Sequence, residues 1–306
     1  MNASPELFVT LSKRVRLCYQ TFGNSSDPAV VLIAGHACSM LHWTEDLIAL
    51  FSPAVKPYYL IRFDHRDTGL STEFPVPGGY TLSDMAGDIE GLIDHLGLAP
   101  KGYHLVGASM GGPLANLVAT RRPQEVRSLT LLYTSPGVST ELPLREGFQF
   151  TGLGVDSFMG VGDHRKKHIE AEIKKWDALT TQPVDEVERK ENEAWITHIV
   201  DRDIQGSTLF SKGPNHGGAS YAGWPGVEML KGIKSPTTVI QASKDQMFGE
   251  EHGEALAKGI SGAKYVLWED VGHELPKRIW LRLAETFLQT WKRGDDEWMK
   301  NVETEE

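Results

Sequence analysis

The chain has 306 residues, 40% hydrophobic and 24% charged, with 41 Asp+Glu against 31 Lys+Arg, a formal net charge of −10, and two cysteines. These are globular proportions with enough chain for a large core, and they exclude general disorder and collagen-like repeats. The acidic balance argues against nucleic acid or an anionic membrane as partner, and two cysteines cannot make a disulfide framework or a thiolate metal site.

The first residues are polar, and Lys13, Arg14 and Arg16 interrupt the chain before any apolar run reaches the length of a signal-peptide core. The expectation is a cytoplasmic protein with no spanning helix and with Cys18 and Cys38 reduced. Residues 7–11 and 15–22 carry β-type side chains around a charged turn and predict a hairpin. Residues 29–35 form a continuous apolar run, as a strand covered on both faces requires. Residues 41–51 are apolar at helical spacing, and 58–64 form another buried strand. Thr81, with Asp84 three residues on, predicts a capped helix whose apolar positions are Met85, Ile89, Leu92, Ile93 and Leu96. A strand at 103–107, a helix at 113–120 and a strand at 126–133 follow. The alternation resumes with a strand at 237–242, a helix at 251–258, a strand at 264–268 and a helix at 275–291.

Strands alternating with helices predict an α/β fold with a mostly parallel eight-stranded sheet covered on both faces. Active residues are then expected at the carboxyl ends of the strands. The interval 136–235 breaks the alternation. It carries helical stretches at 164–176 and 185–200, a glycine-rich segment at 213–219, and many aromatic residues. It predicts a helical cap inserted between strands 6 and 7, over a core made of 1–135 and 236–294. Residues 295–306 hold six carboxylates against one lysine, half of the net charge, and predict a solvated, disordered acidic tail.

Gly107-Ala108-Ser109-Met110-Gly111 is a G-x-S-x-G sequence entered by an apolar strand and left by a helix. That context lifts a serine hydroxyl clear of a sheet. A serine needs a positioned base, itself oriented by a carboxylate. His273, just past the strand 264–268, and Asp245, just past the strand 237–242, are both placed at carboxyl ends. Asp270 is closer to His273 in sequence and reads as a loop-shaping residue; Thr134 and Ser135, after the sixth strand, offer no carboxylate. His252 reads as a surface residue, while His198 and His216 lie in the cap, where either could face a ligand. Acyl chemistry also needs two donors for the developing oxyanion. The Met110 amide supplies one. The other is expected from the loop after the third strand, with the His36 amide first and Ala37 its nearest rival. Cys38 reads as a small buried thiol. Trp43 and Met110 are expected near the mouth of the site, with Phe148, Phe158, Trp195 and Trp224 of the cap lining a substrate pocket.

These residues resemble the α/β-hydrolase superfamily from about residue 6 to 291, and the order Ser109, Asp245, His273 is the order of that family's triad. Ile61-Arg-Phe-Asp-His-Arg-Asp-Thr-Gly-Leu-Ser-Thr72, Val239-Ile-Gln-Ala242 and Gly272-His273-Glu-Leu-Pro276 are similar to the branch containing aclacinomycin methylesterase. The resemblance implies Ser109 as nucleophile, Asp245 as acid and His273 as base. It also implies that the loop 64–71 is structural, with Arg66 and Asp67 expected to pair. Many members carry His-Gly where this chain has Ala34-Gly35. The expected activity is hydrolysis of a carboxylic ester of a bulky apolar small molecule, with no metal and no organic cofactor implied, since no ligand-spaced cluster and no dinucleotide or P-loop fingerprint occurs. A ligand receptor with slow hydrolysis, or a carbon–carbon hydrolase or lactonase, would use the same framework.

Overall fold

The computed structural model describes residues 3–51, 57–139, 141–148, 164–221 and 226–305. Strands β1 (Leu7–Ser12) and β2 (Val15–Phe22) form the expected hairpin, followed by β3 (Ala29–Ile33). A 3-10 turn, Met40–His42, and the short helix α1 (Glu45–Ala49) replace the single helix expected at 41–51. Thr44 divides them, because its hydroxyl accepts from the Leu47 amide at 3.3 Å and caps α1. Then come β4 (Tyr59–Phe63), α2 (Leu82–His95), β5 (Tyr103–Ala108), α3 (Gly111–Arg121) and β6 (Val126–Leu132). Thr81 and Asp84 close the reciprocal capping box that their spacing predicts.

Helices α4 (His164–Leu179), α5 (Glu186–Gln205) and α6 (Lys212–Tyr221) lie between β6 and β7 (Thr237–Ala242), and α7 (Glu250–Gly259), β8 (Lys264–Trp268) and α8 (Trp280–Glu305) complete the chain. The sheet order is β1-β2-β4-β3-β5-β6-β7-β8. The β1–β2 and β2–β4 pairs are antiparallel, and every later pair is parallel. Helices α2, α3 and α7 bury Met85, Ile89, Leu92, Leu114, Val118 and Leu256 on one face of the sheet. Helices α1 and α8 bury Leu47, Ile48, Leu283, Phe287 and Trp291 on the other. Each such buried side chain contributes roughly 1.5–3 kcal/mol.

The segment 213–219 is helical, although its glycines disfavour a helix by about 1 kcal/mol each. Tertiary anchoring decides the outcome. Lys212 Nζ sits 2.7 Å from Asp203 Oδ2, Asn215 Nδ2 donates to Asp67 Oδ2 at 3.1 Å, and Lys212, Asn215 and His216 are all buried. Arg202 on α5 pairs with the fully buried Asp64 at 2.7 Å, and Asp203 accepts from the Gly69 amide at 2.8 Å. These contacts fasten the inserted helices to the loop after β4. That loop also corrects an expectation: Arg66 and Asp67 do not pair. Arg66 is held by Asp88 on α2 at 2.7 Å, while Asp67 accepts from Tyr80 at 2.6 Å and from Asn215.

The disordered tail is corrected as well. Helix α8 runs without a break past Gly294, and Asp295 is 3% exposed. Its carboxylate meets Arg127 Nη1 at 2.7 Å and His104 Nε2 at 3.2 Å through Oδ1, and accepts from Tyr58 at 3.2 Å through Oδ2. Arg127 also lies over the Trp298 ring, 5.0 Å from its centroid. The charge run conceals one carboxylate that the core needs and a tryptophan that packs back on the strands.

Candidate active site

Ser109 follows β5 directly and adopts φ 53°, a left-handed conformation rare for a residue with a side chain. The glycines around it keep ordinary φ values, so their function is close approach. A Cβ on Gly107 would run into the Gly111 carbonyl, and one on Gly111 into the carbonyl of Ile33. The turn is pinned from β6 on both sides of the peptide: the Ser109 amide donates to Leu132 O at 2.9 Å, and Thr134 Oγ1 donates to Ser109 O at 2.6 Å.

The three residues expected to act together meet. Ser109 Oγ lies 3.0 Å from His273 Nε2, and His273 Nδ1 lies 2.9 Å from Asp245 Oδ2. A carboxylate only accepts, so Nδ1 carries the ring proton and Nε2 presents its lone pair to the serine hydroxyl. Asp245 is 1% exposed, and its other oxygen accepts from the amides of Met247 at 2.7 Å and Phe248 at 2.9 Å. The His273 ring lies between those of Tyr133 and Phe248, with centroids 6.2 and 5.8 Å away, and its amide donates to Gln246 Oε1 at 3.1 Å. Such a chain of contacts can move a proton off a hydroxyl.

Beside it runs the loop 34–37. Gly35 is packed so closely that an added Cβ would stand 3.1 Å from Ser109 Cβ. The Ala37 amide donates to His216 Nδ1 at 3.0 Å. Of the two donors expected from this loop, the Ala37 amide is thus engaged with His216. Burial, with Lys175 and Lys212 nearby, pushes the His36 imidazole down to about 4. Met110 is the N-cap residue of α3, but its side chain is 2% exposed in the core and does not line the site, which corrects the expectation that it stands at the mouth.

A cavity of ≈ 1840 Å³ opens over Ser109 and His273. Trp43, Phe148, Trp176 and Trp195 line it, together with His42 and Tyr133, which sequence reasoning did not single out. Phe158 and Trp224 lie outside the described residues. Trp195 Nε1 donates to Leu41 O at 3.0 Å, and its ring meets those of His42 and Trp176 at 5.1 and 5.4 Å. Trp176 and Trp195 also pack on Ile196 and Val200, so the same rings build the inserted helices' own core and the cavity wall. Burial, then Lys175, pushes His42 down to about 3, leaving a neutral aromatic surface.

Several other side chains have structural positions. His252 is not a surface residue: it is fully buried, with Nδ1 2.8 Å from Ser135 Oγ and Nε2 3.0 Å from Pro143 O. Its helix start is charged, but its own face turns inward, which flanking charges do not reveal. His198 is exposed and off the cavity, and His216 is buried against the loop 34–37, not turned toward a ligand. Asp270 pairs with Arg282 at 2.9 Å. Cys38 is half-buried, and burial pushes its thiol up to about 11, which leaves it protonated and unreactive.

Fold and site together define an α/β hydrolase. The sequence profile of the family described as the alpha/beta hydrolase fold matches residues 28–276, and the chain belongs to that family. Rhodomycin D methylesterase of Streptomyces peucetius is 26% identical over 300 residues, covering 88% of this chain and 93% of its own, and the enzyme of the same name from Streptomyces sp. (strain C5) is 25% identical over 299 residues, with the same coverage. Among solved structures, the enol-lactonase from Burkholderia xenovorans LB400 superposes with a TM-score of 0.69 at 21% identity, over 94% of this chain and 100% of that one. The chain is thus an ester-hydrolysing enzyme on a methylesterase-like branch of the family. Among the described residues, no helix is long and apolar enough to cross a membrane.

Proposed function

We propose that this enzyme cleaves an ester of a small alcohol and a bulky, largely aromatic acid, through an acyl-enzyme on Ser109. The observation that carries the reading is the hydrogen-bonded chain from Ser109 through His273 to Asp245 at the base of the cavity. Ser109 Oγ attacks the carbonyl carbon while its proton passes to His273 Nε2. The amides of His36 and Met110 receive the charge that develops on the carbonyl oxygen, a contribution of about 3 kcal/mol per donor. His273 returns the proton to the departing alkoxide, which leaves as the alcohol. Water then attacks the acyl-enzyme, its proton goes to Nε2 and from there to Ser109 Oγ, and the free acid leaves. Asp245 holds the ring in the required tautomer and stabilises the imidazolium formed in each half-reaction.

The aromatic wall formed by Trp43, Trp176, Trp195 and Phe148 suits a flat apolar acyl group, and the volume suits one larger than a simple fatty or benzoic ester. The methylesterase relatives support a small leaving alcohol. A panel of esters varying acyl and alcohol size, run on wild type and Ser109→Ala with identification of the products, tests the reading. The expected result is a loss of at least about 10⁴-fold in turnover for Ser109→Ala at an unchanged melting temperature. Turnover retained by that variant, or products of carbon–carbon cleavage, would sink it.

A further inference from the structure

His216 lies on α6 in the inserted segment, is fully buried, and stands outside the hydrogen-bonded chain of Ser109, His273 and Asp245, yet both of its ring nitrogens are engaged with backbone. Nδ1 accepts from the Ala37 amide at 3.0 Å, and Nε2 lies 2.8 Å from Arg66 O. An amide only donates and a carbonyl only accepts, so the ring is neutral with its proton on Nε2. At the other end of the same loop, His65 Nε2 donates to Ala34 O at 3.0 Å. The His216 ring stands edge-on to those of His36 and His65, with centroids 5.8 and 5.9 Å away.

The peptide carrying the His36 N–H lies between two peptides that are each tied down. His65 holds the one before it through Ala34 O, and His216 holds the one after it through the Ala37 amide. Ala37 adopts φ 55°, which costs a residue with a Cβ about 1 kcal/mol or more and persists only where its surroundings enforce it. Two hydrogen bonds hold it there: the one to His216, and the bond from the Cys38 amide to Gly35 O at 3.2 Å that closes the turn 35–38.

We infer that His216 is a positioning residue for the oxyanion hole: the inserted helices reach into the core through its ring and fix the direction of the His36 amide. The inference rests on the proposed acyl-enzyme reaction, which makes the His36 amide an oxyanion donor. Transition-state charge is what a displaced donor fails to meet, so loss of the ring lowers kcat more than it alters KM.

The test uses His216→Leu, which removes both bonds, and His216→Asn, whose side-chain oxygen can replace Nδ1 as acceptor for Ala37. The readouts are steady-state kinetics on p-nitrophenyl butyrate, affinity for phenylethylboronic acid, whose serine adduct places an oxygen in the oxyanion hole, and hydrogen exchange at the Ala37 amide. For His216→Leu the expected result is a 10- to 100-fold lower kcat with KM within threefold, weaker boronate binding and lost Ala37 protection. His216→Asn should recover most of all three. A change confined to KM, an Asn variant no better than Leu, or Ala37 protection equal in all forms would overturn the inference. Should the Leu variant not fold, the Asn variant and the wild-type exchange rate decide, and a freely exchanging Ala37 amide in wild type overturns it. If wild type matches Ser109→Ala in hydrolysing no ester, it is the proposed reaction that has failed, and Ala37 exchange still judges the role of His216.

Discussion

Asp245 divides its carboxylate between His273 and its own loop: Oδ2 meets the imidazole at 2.9 Å, and Oδ1 takes the two amides of Met247 and Phe248. The loop amides fix the carboxylate, and the carboxylate fixes the ring. Asp245→Asn keeps an oxygen for the amides and turns an NH₂ toward Nδ1. The ring then carries its proton on Nε2, where it cannot accept one from Ser109. Turnover of a methyl ester should fall about 10⁴-fold with the melting temperature nearly unchanged, measured by steady-state kinetics beside thermal denaturation.

The indole of Trp195 joins the inserted helices to Leu41 O and packs edge-on against His42 in the cavity wall. Trp195→Phe loses that hydrogen bond and part of the wall. The KM for a naphthyl-sized ester should rise about five- to tenfold, well beyond the change for an acetate ester; equal changes for both would place Trp195 away from the bound acyl group.

Asp295 is the buried partner of Arg127 and His104. Asp295→Ala leaves the Arg127 guanidinium without its carboxylate, and a loss of about 3 kcal/mol in unfolding free energy is expected by urea denaturation. A chain ending at Asn301 should be close to wild type in the same measurement, whereas one ending at Gly294 should be severely destabilised.

Burial pushes His65 down from 6.5 to about 4. The unfolded chain therefore takes up this proton near pH 6.5, while the folded chain resists it until about pH 4. The sign follows: stability is fully present above about pH 6.5 and is lost as the pH falls from there to about 4, by about 3 kcal/mol for this one group. His36, also held near 4, adds in the same direction. Urea midpoints between pH 7 and 4 should fall steadily, and His65→Gln should show a shallower fall; an identical slope would remove His65 from the account.

Much of the fold and the three residues of the candidate site are legible in the sequence, because each is announced locally. A buried parallel strand is an apolar run, a capping box is two residues at fixed spacing, and the residues that converge on Ser109 stand just past strand ends. What was not legible depends on partners far away in the chain. Arg66 takes Asp88 and leaves Asp67 to Tyr80, and nothing in Arg66-Asp67 says so. The helix α6 forms despite its glycines because Lys212, Asn215 and His216 are anchored by Asp203, Asp67 and Ala37. Residue Asp295 sits in a run of charges that looks uniformly solvated, and only the position of Arg127 distinguishes it.

The inserted helices separate Ser109 in the chain from both residues proposed to activate it, since Asp245 and His273 follow the insertion. A chain emerging from the ribosome therefore carries its serine through more than half of its synthesis with no base to deprotonate it. Competence for hydrolysis arrives only near the end, with His273, and α8 then closes on Arg127 and holds the late strands to the early ones. Under the proposed reaction, a chain that stops short of His273 should be silent toward esters, so activity would wait until most of the framework has been made.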